Sequence, residues 1–143
     1  MNDRVLRATA VTYGVAFVVH LADHLRRGVG ASPRVVVVLG GLAGVFQVLA
    51  IGAALTRHAK APLLAVAVGL PDAVGIFTAH LLPHWSGPSD SFPSHAPGVT
   101  AFSWATAIAE LVAALAFAYA GWLLLRQGPS LDVGDRTSAD VAA

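Results

Sequence analysis

Residues 33–56 read PRVVVVLGGLAGVFQVLAIGAALT, a run with no charged side chain after Arg34 and one buried-type amide, Gln47. Wound at about 1.5 Å per residue, a run of this length covers the roughly 30 Å of a bilayer's hydrocarbon core. Hydrocarbon offers backbone N–H and C=O groups no partner, and a helix is the form in which one segment satisfies them by itself. Three further stretches have the same character: Val5 to Leu25, Pro62 to Leu82 and Thr100 to Leu125. The chain has 143 residues, 56% hydrophobic and 12% charged, with a mean hydropathy of +0.69, which is too apolar for a water-soluble domain of this size.

The reading is an all-α, multi-pass protein of the cell membrane, a four-helix transmembrane bundle running up-down-up-down. Residues 1–127 make the membrane domain. Residues 128–143 are expected to be a disordered cytoplasmic tail, because they carry too few bulky apolar side chains to fold. Ser32 is expected to cap the second helix with Pro33 at its first position, Pro62 to open the third, and Gly128 and Pro129 to close the fourth. Arg4 and Arg7 before an apolar run, with Val29-Gly30-Ala31 after it, have the outline of a signal peptide. Asp23, Arg26 and Arg27 interrupt that outline, so the segment is read as a helix.

A formal net charge of +1 gives no electrostatic case for nucleic acid as a partner. The lipid bilayer is the expected partner. Cysteine is absent, so disulfides and thiolate ligands are excluded and any metal must be held by nitrogen and oxygen. Arg4, Arg7, Arg57, Lys60, Arg126 and Arg136 fall on one side of the four spans, and Arg26, Arg27 and Arg34 on the other. Six against three places both termini in the cytoplasm by the positive-inside rule. Arg26 and Arg27 run against that rule, and a role at a site or on lipid phosphates would account for them.

Two short motifs carry the chemistry: His20-Leu21-Ala22-Asp23-His24 and His80-Leu81-Leu82-Pro83-His84. Each ends a long apolar run, and with four spans both fall at the same membrane surface, where imidazoles and carboxylates are costly to hold without a purpose. His20, Asp23 and His24 project from one helix face, because residues three and four apart stack. Pro83 lacks a backbone donor and disfavours helical geometry at Leu82, so the third helix is expected to end between His80 and His84. The metal-ligand set read from the sequence is His20, His24, His80, His84 and Asp23. Asp90 and His95, in the proline-stiffened loop that follows, are candidate lid residues or extra ligands. Asp23 has a competing role as partner of Arg26 or Arg27. His-x-x-Asp-His differs by one residue type from the His-x-x-Glu-His of inverted zincins, but nothing else in the chain points to a protease.

Deeper in the bilayer lie Gln47, Asp72 and Glu110, expected to face the bundle interior and bond one another or neighbouring helices. Ser103, Thr106 and Glu110 share a stripe of the fourth helix leading inward from the outer surface. Gly40, Gly44 and Gln47 on the second helix, and Ala105, Ala109 and Ala113 on the fourth, are expected to be packing surfaces.

The function these residues favour is a metal-binding membrane protein with a His/Asp site near the extracytoplasmic face. A nitrogen- and oxygen-rich set suits zinc, copper or iron. With an open coordination position it would serve as a metal-dependent enzyme on a lipid-like substrate, although no residue is singled out as catalytic. Haem held by one histidine each from the first and third helices is the alternative cofactor. An accessory or structural subunit of a larger membrane complex, without chemistry, and a proton-coupled transporter using Asp72 and Glu110 are the remaining readings.

Overall fold

A computed structural model describes residues 3–28 and 30–127. The tail at 128–143, the helix-closing Gly128 and Pro129, Arg136 and Val29 lie outside the described residues. The rest is helical with no strand among the described residues: α1 (Asp3–Arg27), α2 (Arg34–Leu55), α3 (Ala61–Ile76) and α4 (Ala101–Gln127). A π-helical turn, Phe77–Leu81, continues α3. With that turn included, all four helices are long and apolar enough to cross a membrane.

The helices pack in a ring, α1 on α2 and α4, and α3 on α2 and α4. Large apolar side chains point outward from every helix, among them Val15 and Val18, Val38 and Leu49, Leu63 and Val74, and Val112 and Leu115. In water that surface would aggregate; in lipid it is solvated. The main core cluster is built from alanines, Leu6 and two rings, Tyr13 and Phe117, whose centroids lie 5.5 Å apart.

Contact between α3 and α4 is closest where side chains vanish. A Cβ on Gly121 would stand 2.5 Å from the Pro62 carbonyl oxygen, and one on Gly69 would stand 2.7 Å from that of Ala114. The small residues that set helix spacing are therefore Gly69, Ala114, Ala118 and Gly121. Of the expected packing surfaces, Gly44 receives the Phe17 ring of α1, and Gln47 and Ala113 are buried, while Gly40, Ala105 and Ala109 are exposed.

Helix starts are partly as expected. Pro62 sits in the first turn of α3. Pro33 itself occupies the cap position of α2 and no side chain caps the helix, because the Ser32 hydroxyl is engaged elsewhere, on Asp90 and His24. The end of α3 follows from Pro83: Leu82 is extended (φ −83°, ψ 152°), and its N–H reaches back to the Phe77 carbonyl at 3.2 Å, one residue further than in an α-helix. This wider turn carries His80.

Candidate metal centre

The C-terminal ends of α1 and α3 meet the N-terminal half of α4, and there three imidazoles close into a triangle. Ring centroids are 4.9 Å apart for His20 and His24, 5.2 Å for His20 and His80, and 5.3 Å for His24 and His80. One ring nitrogen from each lies within 4.8 Å of the other two. A tetrahedral ion bound at about 2.0–2.1 Å holds its nitrogens roughly 3.3 Å apart, so the rings need draw in by no more than about 1 Å.

The hydrogen bonds around the triangle determine which nitrogens are free. His20 Nδ1 lies 2.6 Å from Glu110 Oε2. A carboxylate accepts, so Nδ1 carries the proton and the neutral ring keeps its lone pair at Nε2. That Nε2 is buried and has no hydrogen-bond partner. His80 Nδ1 faces the Asp90 carbonyl oxygen at 3.3 Å, an acceptor only, which again assigns the proton to Nδ1. The Ser32 hydroxyl donates to Asp90 Oδ2 at 2.8 Å and so receives from His24 Nδ1 at 3.3 Å. All three rings thus spend their Nδ1–H on protein oxygen. Histidines that ligate metals are oriented in this way, one nitrogen anchored and the other turned to the ion.

Residues 82–100 fold back over the triangle. Asp90 N–H bonds the Ala79 carbonyl and Phe92 N–H that of His80, both at 2.9 Å. The Phe92 ring packs on His80 with centroids 4.8 Å apart, and Trp104 packs on Phe92. Two arginines of α1 hold the segment in place. Arg27, with no exposed side-chain surface, makes a two-pronged pair with Asp90, both contacts at 2.8 Å, and donates to the Pro97 carbonyl. Arg26 bonds the Gly98 carbonyl and the hydroxyls of Thr100 and Ser103. Burial pushes the Asp90 carboxyl up, but the bonds from Arg27 and Ser32, with the Arg27 charge, outweigh it and hold the group below the usual carboxylate range.

Beneath the triangle a chain of polar groups runs inward, buried at Glu110 and Gln47 and half-buried at Asp72. Glu110 Oε1 accepts from Gln47 Nε2 at 3.2 Å, the same nitrogen donates to Asp72 Oδ1 at 2.5 Å, and the Tyr13 hydroxyl donates to Asp72 Oδ2 at 2.7 Å. Gln47 of α2 therefore bridges Asp72 of α3 and Glu110 of α4. Ser103 and Thr106 line α4 above Glu110, both buried.

Of the expected ligand set, His20, His24 and His80 come together, and Asp23 and His84 do not join them. Asp23 is fully buried but turned to Arg26, at 2.8 and 2.9 Å. His84 lies past the break made by Pro83, exposed, its N–H on the Ser94 hydroxyl. Asp90 is buried at 3.7 Å from His80 Nδ1, serving the rings from behind. His95 is exposed, with a left-handed backbone at φ 61°. Tyr13, Ser32 and Phe92 were not expected at the site. Only Ser32 had a sequence signal, its place just beyond the α1 histidines, and the capping role offered a simpler use for it.

Comparison with protein families, with curated proteins and with solved structures finds no match, so the function is argued from the geometry. The class this fold and site define is an all-helical protein with four membrane-competent helices and a histidine triad able to hold a metal ion.

Proposed function

We propose that the protein is a multi-pass protein of the cell membrane, with helices running up-down-up-down and both termini cytoplasmic. Its function centres on a transition-metal ion held by His20, His24 and His80 near the extracytoplasmic face. The observation that carries this is the buried, unpartnered Nε2 of His20, on one of three clustered rings whose Nδ1–H groups are all engaged. A buried nitrogen lone pair without a donor costs free energy unless something binds it. A metal ion held by the three rings satisfies it.

Three protein ligands leave a fourth position for water or a substrate, the pattern of sites that act on a molecule rather than of sites that only staple a fold. At that position the ion serves as a Lewis acid, with zinc, copper and iron all suited to imidazole. Haem is less well served. A flat macrocycle between His20 and His80 would have to displace His24, whose ring stands 4.9 and 5.3 Å from theirs.

Metal analysis of the protein purified in mild detergent is the test. The wild type should carry or take up about one ion per chain, and a His20→Ala/His80→Ala variant of unchanged helical content should lose it. Equal metal in both overturns the reading.

A further inference from the structure

Along α2 one side is turned to the bundle interior, through Val36, Gly44, Gln47, Ala50 and Ala54. Between the first two of these the cover is missing. All six residues from Val37 to Leu42 are exposed, and since a helical turn takes about 3.6 residues, no side of α2 is covered over that stretch. Gly40 stands four residues after Val36 and four before Gly44, on the same face as both. A Cβ built on it nevertheless meets nothing within 4 Å, whereas one on Gly44 meets the Phe17 ring at 3.1 Å.

This gap lies at the height of the triad. α1 runs antiparallel to α2, with Gly14 against Ile51 and Phe17 against Gly44, so four residues further on Gly40 comes level with Leu21, between His20 and His24. α3 returns beside α2 with Asp72 bonded to Gln47, so the seven residues from Gln47 to Gly40 are matched by those from Asp72 to Ala79, next to His80. Above, the gap is closed where Ser32, just ahead of α2, meets His24, and below it is closed by the Phe17 ring. Two buried acceptors without a partner lie behind it. His20 commits Nδ1 to Glu110 of α4, so its Nε2 is on the ring edge away from that helix. Gln47, 3% exposed, shares the Gly40 face, and helix side chains lean toward the N-terminus, which carries its amide toward the gap. Its Nε2 is spent on Asp72 and Glu110, while its Oε1 has no partner.

We propose that this gap is a lateral opening through which an amphiphile dissolved in the bilayer brings its head group to the fourth position of the triad's metal ion while its chain stays in lipid. The inference rests on the metal reading of the triad. Val38, Leu39 and Leu42 around the gap are exposed apolar side chains, so the molecule that enters there is one that hydrocarbon dissolves. Behind the gap the ion accepts an electron pair and Gln47 Oε1 accepts a hydrogen bond. The head group that meets both carries a metal-binding oxygen with an O–H or N–H beside it.

Decanohydroxamate and acetohydroxamate share one metal-binding head and differ in the chain, and the visible absorption of cobalt(II) bound to the full chain in detergent reports either one as a new ligand. Gly40→Leu places a side chain across the gap, where a Cβ has room. The variant should take up cobalt as the wild type does and bind acetohydroxamate within about twofold of it. Its affinity for decanohydroxamate should fall about tenfold or more, the loss that goes with about two methylene groups denied their place in lipid. Equal decanohydroxamate affinity in the two proteins overturns the proposal. Equal losses for both hydroxamates also overturn it, because position 40 would then act on the ion and not on the path of the chain. If Gly40→Leu takes up no cobalt, Gly40→Val is held to the same outcomes, and failure of both to load overturns the proposal, since the gap would then belong to the packing of the metal site. Failure of the underlying reading is separately visible: wild-type protein that gives no cobalt spectrum, or a His20→Ala/His80→Ala variant that gives the same one, removes the triad and this opening together.

Discussion

Glu110 accepts the Nδ1–H of His20 at 2.6 Å, which fixes both the tautomer and the tilt of the ring whose other nitrogen has no partner. Removing such an acceptor from a ligating histidine typically weakens metal binding by about 10–100-fold. Glu110→Leu should therefore lower cobalt affinity within that range in an equilibrium titration. Glu110→Gln should cost less, since an amide oxygen still accepts the bond. Identical affinities in all three proteins would leave Glu110 a packing residue. What the sequence discloses at this scale depends on distance along the chain. His20 and His24 are legible because four-residue spacing alone puts them on one face. Glu110 is legible as a costly intramembrane carboxyl, but its partner is 90 positions away and no local pattern names it. Arg27 is an intermediate case. In the sequence it stands out as a cation at the end of the bundle with fewer Lys and Arg, and in the structure its charge is spent on Asp90.

Helix ends and helix contacts show the same division. The spans read from apolar length agree with the helices to within a few residues once the π-helical turn is counted with α3, since hydropathy and proline act locally. The break after α3 is legible from Pro83. The π-helical turn that swings His80 toward α1 is not, because it depends on where the returning loop bonds the Ala79 and His80 carbonyls. Interhelical spacing is likewise a property of pairs. Gly40 and Gly121 look alike in sequence, yet a Cβ on Gly40 meets nothing within 4 Å, and one on Gly121 meets Pro62 and Ala65 at 2.5 and 2.7 Å. Helix propensity favours alanine over glycine by up to about 1 kcal/mol, so Gly40→Ala should leave thermal stability in detergent unchanged or raised. Gly121→Ala should lower it by about 1–3 kcal/mol, because backbone and a methyl must move to admit the new atom. A Gly121→Ala melting curve that is unchanged or raised, like that expected of Gly40→Ala, would show that α3 and α4 are not in this close contact.

Across the whole molecule, the placement of Lys and Arg is the argument for orientation, and the structure shows which of these cations are paired. Arg27 is buried against Asp90 and Arg26 is paired with Asp23, so two of the three cations at the histidine end are neutralised within the protein. At the other end Arg57 and Lys60 are exposed and have no such carboxylate partner among the described residues. The positive-inside rule counts Lys and Arg rather than net charge, so the bias stays the six to three that the sequence shows. The absence of cysteine allows a direct measurement. Lys60→Cys, between α2 and α3, and Gly87→Cys, in the segment over the triad, both introduce a thiol at an exposed position. A membrane-impermeant maleimide added to intact cells should label Gly87→Cys at once and Lys60→Cys only after lysis. The reverse pattern would put the triad on the cytoplasmic side, where the ion it meets comes from the buffered cytosolic pool. Labelling of both in intact cells would deny that the chain crosses the membrane between them. The histidine triangle is internal to the bundle and keeps its geometry under either orientation, so this experiment decides which compartment supplies the metal independently of whether the metal binds.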